Sequence, residues 1–173
     1  MSSAGDPPMK RVLGVDPGAN GALALLDGVT DTLEVFDMPT ITVERTGRTP
    51  SGHARKHHAI SEAHLAQLVR ELRPDVAWVE RVHAMPKQGV SSSFAFGLAY
   101  GLIRGVLATL PVPVFLVTPT ECKKEFRIGA DKQQARVLAT QMFPLNAKAF
   151  SRIRDDGRAE AALLAVFGMR YPL

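Results

Sequence analysis

The chain has 173 residues, 46% of them hydrophobic, which excludes a disordered protein and fits one domain with a proper core. Its formal charge of +4 admits an anionic partner without naming one. A single cysteine, Cys122, excludes an internal disulfide framework and points to a reducing compartment.

Met1 to Lys10 lack the apolar run of a signal peptide and read as a flexible tail, leaving 11–173 as one domain. Arg11 to Asp16 reads as an apolar strand ending in a carboxylate. A Pro-Gly/Asn-Gly turn and a second strand, Ala22 to Leu26, follow. A carboxylate at the end of an apolar strand is costly to desolvate alone, so Asp16 either bonds turn amides or binds a cation. Thr32 to Met38 alternates and stops at Pro39, which completes an antiparallel meander. From Thr40 to Ala59 no period is visible. Arg45, Arg48, Arg55 and Lys56 stand there among Gly, Thr, Ser and Pro, which predicts a solvated, mobile loop able to grip phosphates. His53, His57 and His58 lack a cysteine or acid at ligand spacing and do not read as a metal site.

Ser61 is a good N-cap, and Leu65, Leu68, Val69 and Leu72 mark one face of a helix that ends before Pro74. Asp75 to Glu80 reads as a buried central strand, with Glu80 at its end as Asp16 is at the end of the first. Glu80 either bridges Arg81 or joins Asp16. Arg81 to Gly89 is a loop carrying His83 and Lys87. Ser91 or Ser92 then caps a long apolar helix, read as buried in the domain and not in a membrane. Gly97, Gly101 and Gly105 recur along it, and each costs about 1 kcal/mol of helix stability relative to Ala, so close backbone approach is expected. Part of that stripe is assigned to the sheet and part to a second subunit.

Pro113 to Thr118 is the fifth strand, and a parallel crossover joins it to the fourth. A short helical turn with Lys123 and Lys124 follows. Asp131 and Gln134 resemble a capping box opening a helix to about Met142, with Lys132 in its first turn. Phe143 to Arg154 reads as a linker with Lys148, Arg152 and Arg154. The last helix begins at Asp155 and places Asp156 and Glu160 one turn apart on one face.

With the first strand central and the fourth parallel beside it, Asp16 meets Glu80, and the last helix lays Asp156 and Glu160 over the same point. Four carboxylates so placed call for cations, and oxygen-only ligation suits Mg²⁺ or Mn²⁺ rather than zinc. Two such ions can activate a water and stabilise the leaving oxygen of a phosphodiester. The basic residues of 45–56, with Lys123, Lys124, Lys132 and 148–154, would hold a nucleic-acid backbone across the site.

Gly14-Val15-Asp16-Pro17-Gly18, Val79-Glu80, the Gly-rich helix, Ala130-Asp131-Lys132 and Asp156-Gly157-Arg158-Ala159-Glu160-Ala161 resemble the RuvC-type Holliday-junction resolvases of the RNase H-like superfamily. The similarity covers about Arg11 to Gly168 and is nearest to phage-type and chloroplast-type members. It implies an α/β, RNase H-like fold with a five-stranded mixed sheet, three strands antiparallel and then two parallel, flanked by helices. It also implies a homodimer that resolves four-way DNA junctions by paired symmetric nicks in recombination and repair, with two divalent ions per active site. Asp16, Glu80, Asp156 and Glu160 are then the ligands, and Lys132 contacts the scissile region. His83 stands where bacterial members carry a stacking aromatic, and the spacing of the last two acids is four instead of three. Whether Asp155 or Asp156 ligates stays open. No membrane or nucleotide cofactor is expected, and the location is cytoplasmic in a bacterial or phage-infected cell, an organelle not being excluded. An actin-like ATPase would need a second domain, and a catalytically dead DNA-binding module would not need every acid. A general RNase H-like nuclease acting on RNA–DNA hybrids or flaps is the alternative.

Overall fold

The computed structural model describes residues 11–48, 54–83 and 89–171. Strands β1 (Arg11–Asp16), β2 (Ala22–Asp27), β3 (Thr32–Asp37), β6 (Val76–Glu80) and β7 (Val114–Val117) form one sheet in the order β3-β2-β1-β6-β7. β1 to β3 pair antiparallel, while β6 and β7 continue from β1 in parallel. The expected mixed sheet is therefore present, with β1 at its centre. The tail 1–10 lies outside the described residues.

Period-two alternation sends successive side chains of β1 and β2 to opposite faces. Leu13, Val15, Leu23 and Leu25 are buried in one core with Leu65 and Val69 of helix α1 (Glu62–Leu72) and Ile103 and Leu107 of helix α2 (Val90–Ala108). On the other face Ala22, Ala24 and Leu26 pack with helix α5 (Asp156–Arg170) and helix α4 (Lys132–Met142). α5 comes unusually close to β1. A Cβ at Gly14 would collide with the backbone of Ala161, and one at Gly168 with the indole of Trp78. Ala159, Ala161, Ala162 and Ala165 are wholly buried, and the small residues on both sides permit this approach.

Several expectations are corrected. Thr40 to Ala59 is not a patternless loop. β4 (Thr40–Arg48) and β5 (Ala54–Ile60) pair antiparallel in a separate two-stranded sheet, with an irregularity between Arg45 and Arg48. β-branched Thr40-Ile41-Thr42-Val43 favours extended chain, and register pairs Glu44 with Lys56, which outweighs the turn-like composition. α2 is not a buried helix. Only Ile103 and Leu107 are buried, Val90, Phe94 and Leu98 are exposed, and among the described residues no atom beyond the helix's own backbone lies within 4 Å of a Cβ placed at Gly97, Gly101 or Gly105. The glycine stripe thus makes no contact with the sheet. α2 also begins at Gly89 as N-cap, ahead of Ser91 and Ser92, and without a side-chain cap bond.

The span 143–154 is likewise no open linker: it folds into 3-10 helices Pro144–Phe150 and Ile153–Asp155, driven by burial of Phe150. At the start of α4, Asp131 accepts from the Gln133 backbone N–H, but Gln134 Oε1 accepts from Gly129 N at 2.6 Å, so the expected box is not reciprocal. The turn holding Lys123 and Lys124 is a full helix, α3 (Pro119–Phe126), closed by a Thr118–Glu121 capping box.

Candidate active site

Asp16 and Glu80 end two adjacent parallel strands, and the register pairing Val15 with Val79 brings them side by side. Pro17 to Gly21 turns the chain away beneath them. Gly18 has φ +134°, and Gly21 N donates to Gly18 O at 3.0 Å. The first turn of α5 then settles onto this turn. A Cβ on Gly157 would lie 2.7 Å from Asp16 Oδ2 and 3.0 Å from Asn20 O, so only glycine lets the helix end sit there. Asp156 and Glu160 flank that contact point one turn apart.

The electrostatics show one shared neighbourhood. Burial, and then the charges of Glu160, Glu80 and Asp156, hold the Asp16 carboxyl well above the ordinary carboxylate range, with Lys132 opposing. Burial and Glu160 raise Glu80 from 4.5 to about 7, against Lys123 and Lys132. Glu160 is also raised, chiefly by burial. Among the described residues no three His, Cys, Asp or Glu side chains are drawn together tightly enough to hold an ion as they stand. Repulsion between like charges favours that spacing. The donor set itself is oxygen-only, half-buried and short of positive charge, which fits a hard divalent cation and not zinc.

Asp155 and Asp156 have different surroundings. Asp155 is 1% exposed, accepts a two-pronged bond from the Arg152 guanidinium, and is held below the usual range by it. Asp156 is the one that faces the other acids, with Lys132 Nζ 3.9 Å from its Oδ2 and Arg136 Nε 2.9 Å from its Oδ1. The Arg136 N–H is not aimed along that short line. Both atoms are buried without a hydrogen bond, so a charged contact is present with its bonding capacity unmet. Arg136 is the residue the sequence reading missed. Its signal was there, one helical turn after Lys132 on α4.

Cys122 is buried close by, and burial with Glu80 and Glu160 pushes its thiol up to about 12, so it stays protonated and inert.

The other basic candidates divide. Lys123 acts on Glu80 and Glu160, whereas Lys124 lines a separate cleft of about 830 Å³ with Trp78, Phe167 and Tyr171. His83 is exposed three residues beyond Glu80. Arg45 and Arg48 lie on β4, and Arg55 and the exposed Lys56 on β5, where register opposes Arg45 to Arg55. His53 and Lys87 lie outside the described residues.

A family model described as crossover junction endodeoxyribonuclease RuvC matches residues 12–166. No curated protein matches the chain. Among solved structures, RuvC of T. thermophilus in complex with a Holliday junction substrate is similar at 20% identity, 94% of each chain and TM-score 0.57. The fowlpox virus resolvase in complex with Holliday junction DNA is similar at 17% identity, covering 93% of this chain and 97% of that one, with TM-score 0.53. The yeast mitochondrial Holliday junction resolvase Ydc2 is similar at 14% identity, 95% and 81% coverage, and TM-score 0.52. At these identities the structural likeness establishes the fold.

Proposed function

Since the chain belongs to the crossover junction endodeoxyribonuclease RuvC family, we propose that Asp16, Glu80, Asp156 and Glu160 together hold two divalent ions, Mg²⁺ or Mn²⁺. The chain is a structure-selective endonuclease that resolves Holliday junctions, and its family depends on divalent metal. One observation carries the assignment of residues: carboxylates from β1, β6 and α5 repel one another in a single half-buried place. Once bound, the metal supplies an activated water and neutralises the leaving oxygen of an in-line displacement.

The chain's own groups do the rest. Asp16 and Glu80, on rigid strand ends, fix the floor of the site. α5 sets Asp156 and Glu160 against them and excludes water with its apolar face. Lys132, its Nζ 3.9 Å from Asp156 Oδ2, is assigned to contact the scissile region, and Lys123, whose charge acts on Glu80 and Glu160, supports the same site. The β4–β5 ribbon (Arg45, Arg48, Arg55, Lys56) and the loop after β6 (His83, Lys87) grip flanking backbone, with Lys124 further out.

Cutting two opposed strands takes two sites. The exposed stripe Phe94, Gly97, Leu98, Gly101 and Gly105 of α2 is the surface on which a second copy fits, in an isologous dimer.

The test offers a four-way junction, a linear duplex, a flap and an RNA–DNA hybrid, with Mg²⁺ or Mn²⁺ and with chelator. Paired symmetric nicks are expected on the junction alone, with binding but no cutting in chelator. Asp16→Asn is expected to lower the cleavage rate at least about 10³-fold while junction affinity stays within a few-fold. Normal cutting by that variant, or preference for the hybrid, refutes the reading.

A further inference from the structure

Arg158 lies on α5 between Asp156 and Glu160, but two residues are about 200° of helical rotation, so it leaves the opposite side of the helix. There it meets Asp37 at the end of β3. Arg158 Nε donates to Asp37 Oδ1 at 2.6 Å and Nη2 to Oδ2 at 2.7 Å, a two-pronged pair. Asp37 is not an arbitrary anchor. Register pairs it with Ala22, and Ala22 with Asp16, so it sits on the same cross-sheet row as the first acid of the site.

Asp155, just before the helix, forms a second tie. It accepts from the backbone N–H of Arg152 at 2.8 Å, and from that guanidinium through Nε at 3.0 Å and Nη2 at 2.7 Å. Arg158 Nη1 stands 3.7 Å from Asp155 Oδ1, which joins the two ties. The seat of Gly157 on Asp16 is the third fixed point.

Of these, the Arg158–Asp37 pair and the Gly157 seat bind the helix end to the sheet and oppose its rolling, while the Asp155–Arg152 tie stiffens the segment that leads into it. Rolling would swing Asp156 and Glu160 away from Asp16 and Glu80 and open the ligand set. The Asp37 side chain is 68% exposed, and a pair so exposed contributes little to fold stability. Its placement therefore matters more than its strength.

We propose that Arg158 and Asp37, joined through Asp155 to Arg152, form a brace that fixes the rotation of α5 and thereby sets the metal affinity of the carboxylate site. The inference rests on the metal-site reading above. Arg158 and Asp37 are positioning residues, meeting on the side of α5 away from Asp156 and Glu160. The brace works at a distance from the chemistry, as outer-shell partners of metal ligands do elsewhere.

Metal affinity is measured on the full chain, stripped with chelator, by calorimetric titration of Mn²⁺ without DNA. Junction affinity in chelator and thermal unfolding are followed in parallel. Asp37→Asn is expected to weaken Mn²⁺ binding about tenfold, to leave junction affinity within about twofold, and to regain cleavage at excess Mn²⁺. Arg158→Lys keeps the charge but cannot bond both oxygens, so a smaller loss of about threefold is expected. Asp16→Asn serves as reference and is expected to abolish binding. If Asp16→Asn loses Mn²⁺ while Asp37→Asn and Arg158→Lys bind it like the natural chain, the brace is only a surface ion pair and the inference falls alone. If Asp16→Asn still binds Mn²⁺ normally, the metal-site reading fails and takes the inference with it. A loss of junction affinity with unchanged Mn²⁺ affinity assigns Asp37 and Arg158 to DNA contact and also overturns the brace.

Discussion

Replacing Glu80 with Gln should destroy cleavage and stabilise the metal-free protein, and the size of the gain follows from its surroundings. Glu80 is half-buried, and burial with the charge of Glu160 raises it from 4.5 to about 7. Below about pH 4.5 the group is protonated folded and unfolded, and adds nothing. Between 4.5 and 7 the unfolded chain ionises first, so the folded state loses stability progressively. Above 7 the full penalty is present. At about 1.4 kcal/mol per pH unit the gap is worth about 3 kcal/mol, and discounting for partial solvent exposure and charge coupling leaves about 2. For a chain of this size that is a rise in melting temperature of about 4–8 °C at pH 8 in chelator. At pH 5 the gain should shrink below about 1 kcal/mol. Thermal unfolding of both proteins by circular dichroism at the two pH values checks this. A variant no more stable than its parent at pH 8, or equally stabilised at both pH values, refutes the account of Glu80 as a strained acid.

Other outcomes follow from close packing and exposure. Gly168→Ala places a methyl into the indole of Trp78 and should lower stability by about 1–3 kcal/mol, read by chemical denaturation, with junction specificity unchanged. A Cβ at Gly101 meets no other element among the described residues, so the fold of Gly101→Leu should persist; light scattering should show monomers, and an unchanged dimer would refute α2 as the interface.

Much of the architecture was legible because its signals are local. Asp16 and Glu80 stand out as charges at the ends of apolar strands, and the four-residue spacing of Asp156 and Glu160 fixes their common face without reference to the rest of the chain. The β4–β5 ribbon was hidden because Gly47, Pro50, Ser51 and Gly52 break the sequence pattern at the end of β4 and after it, while its pairing comes from cross-strand partners that a linear reading does not see. The Gly97–Gly105 stripe was read as a place of close approach, part of it for the sheet and part for a second copy, and the sheet does not come near it. Arg136 was legible only as a neighbour of Lys132 on one helix face, not as a partner of Asp156, and the Arg158–Asp37 pair was hidden altogether. Their meaning depends on which carboxylate a long side chain reaches in space, and Asp37 is 121 positions away from Arg158.

On the proposed ligand set, the order in which the acids appear along the chain also limits when an active enzyme can exist. Asp16 is made early, Glu80 midway, and Glu160 only near residue 160, on the helix that caps the central strand. On that set, a proteolytic product ending before Asp156 would keep both strand acids, lose the other two together with the helix that buries Ala22, Ala24 and Leu26, and is expected not to cut. If the four acids are the ligands proposed above, catalytic competence arrives with α5.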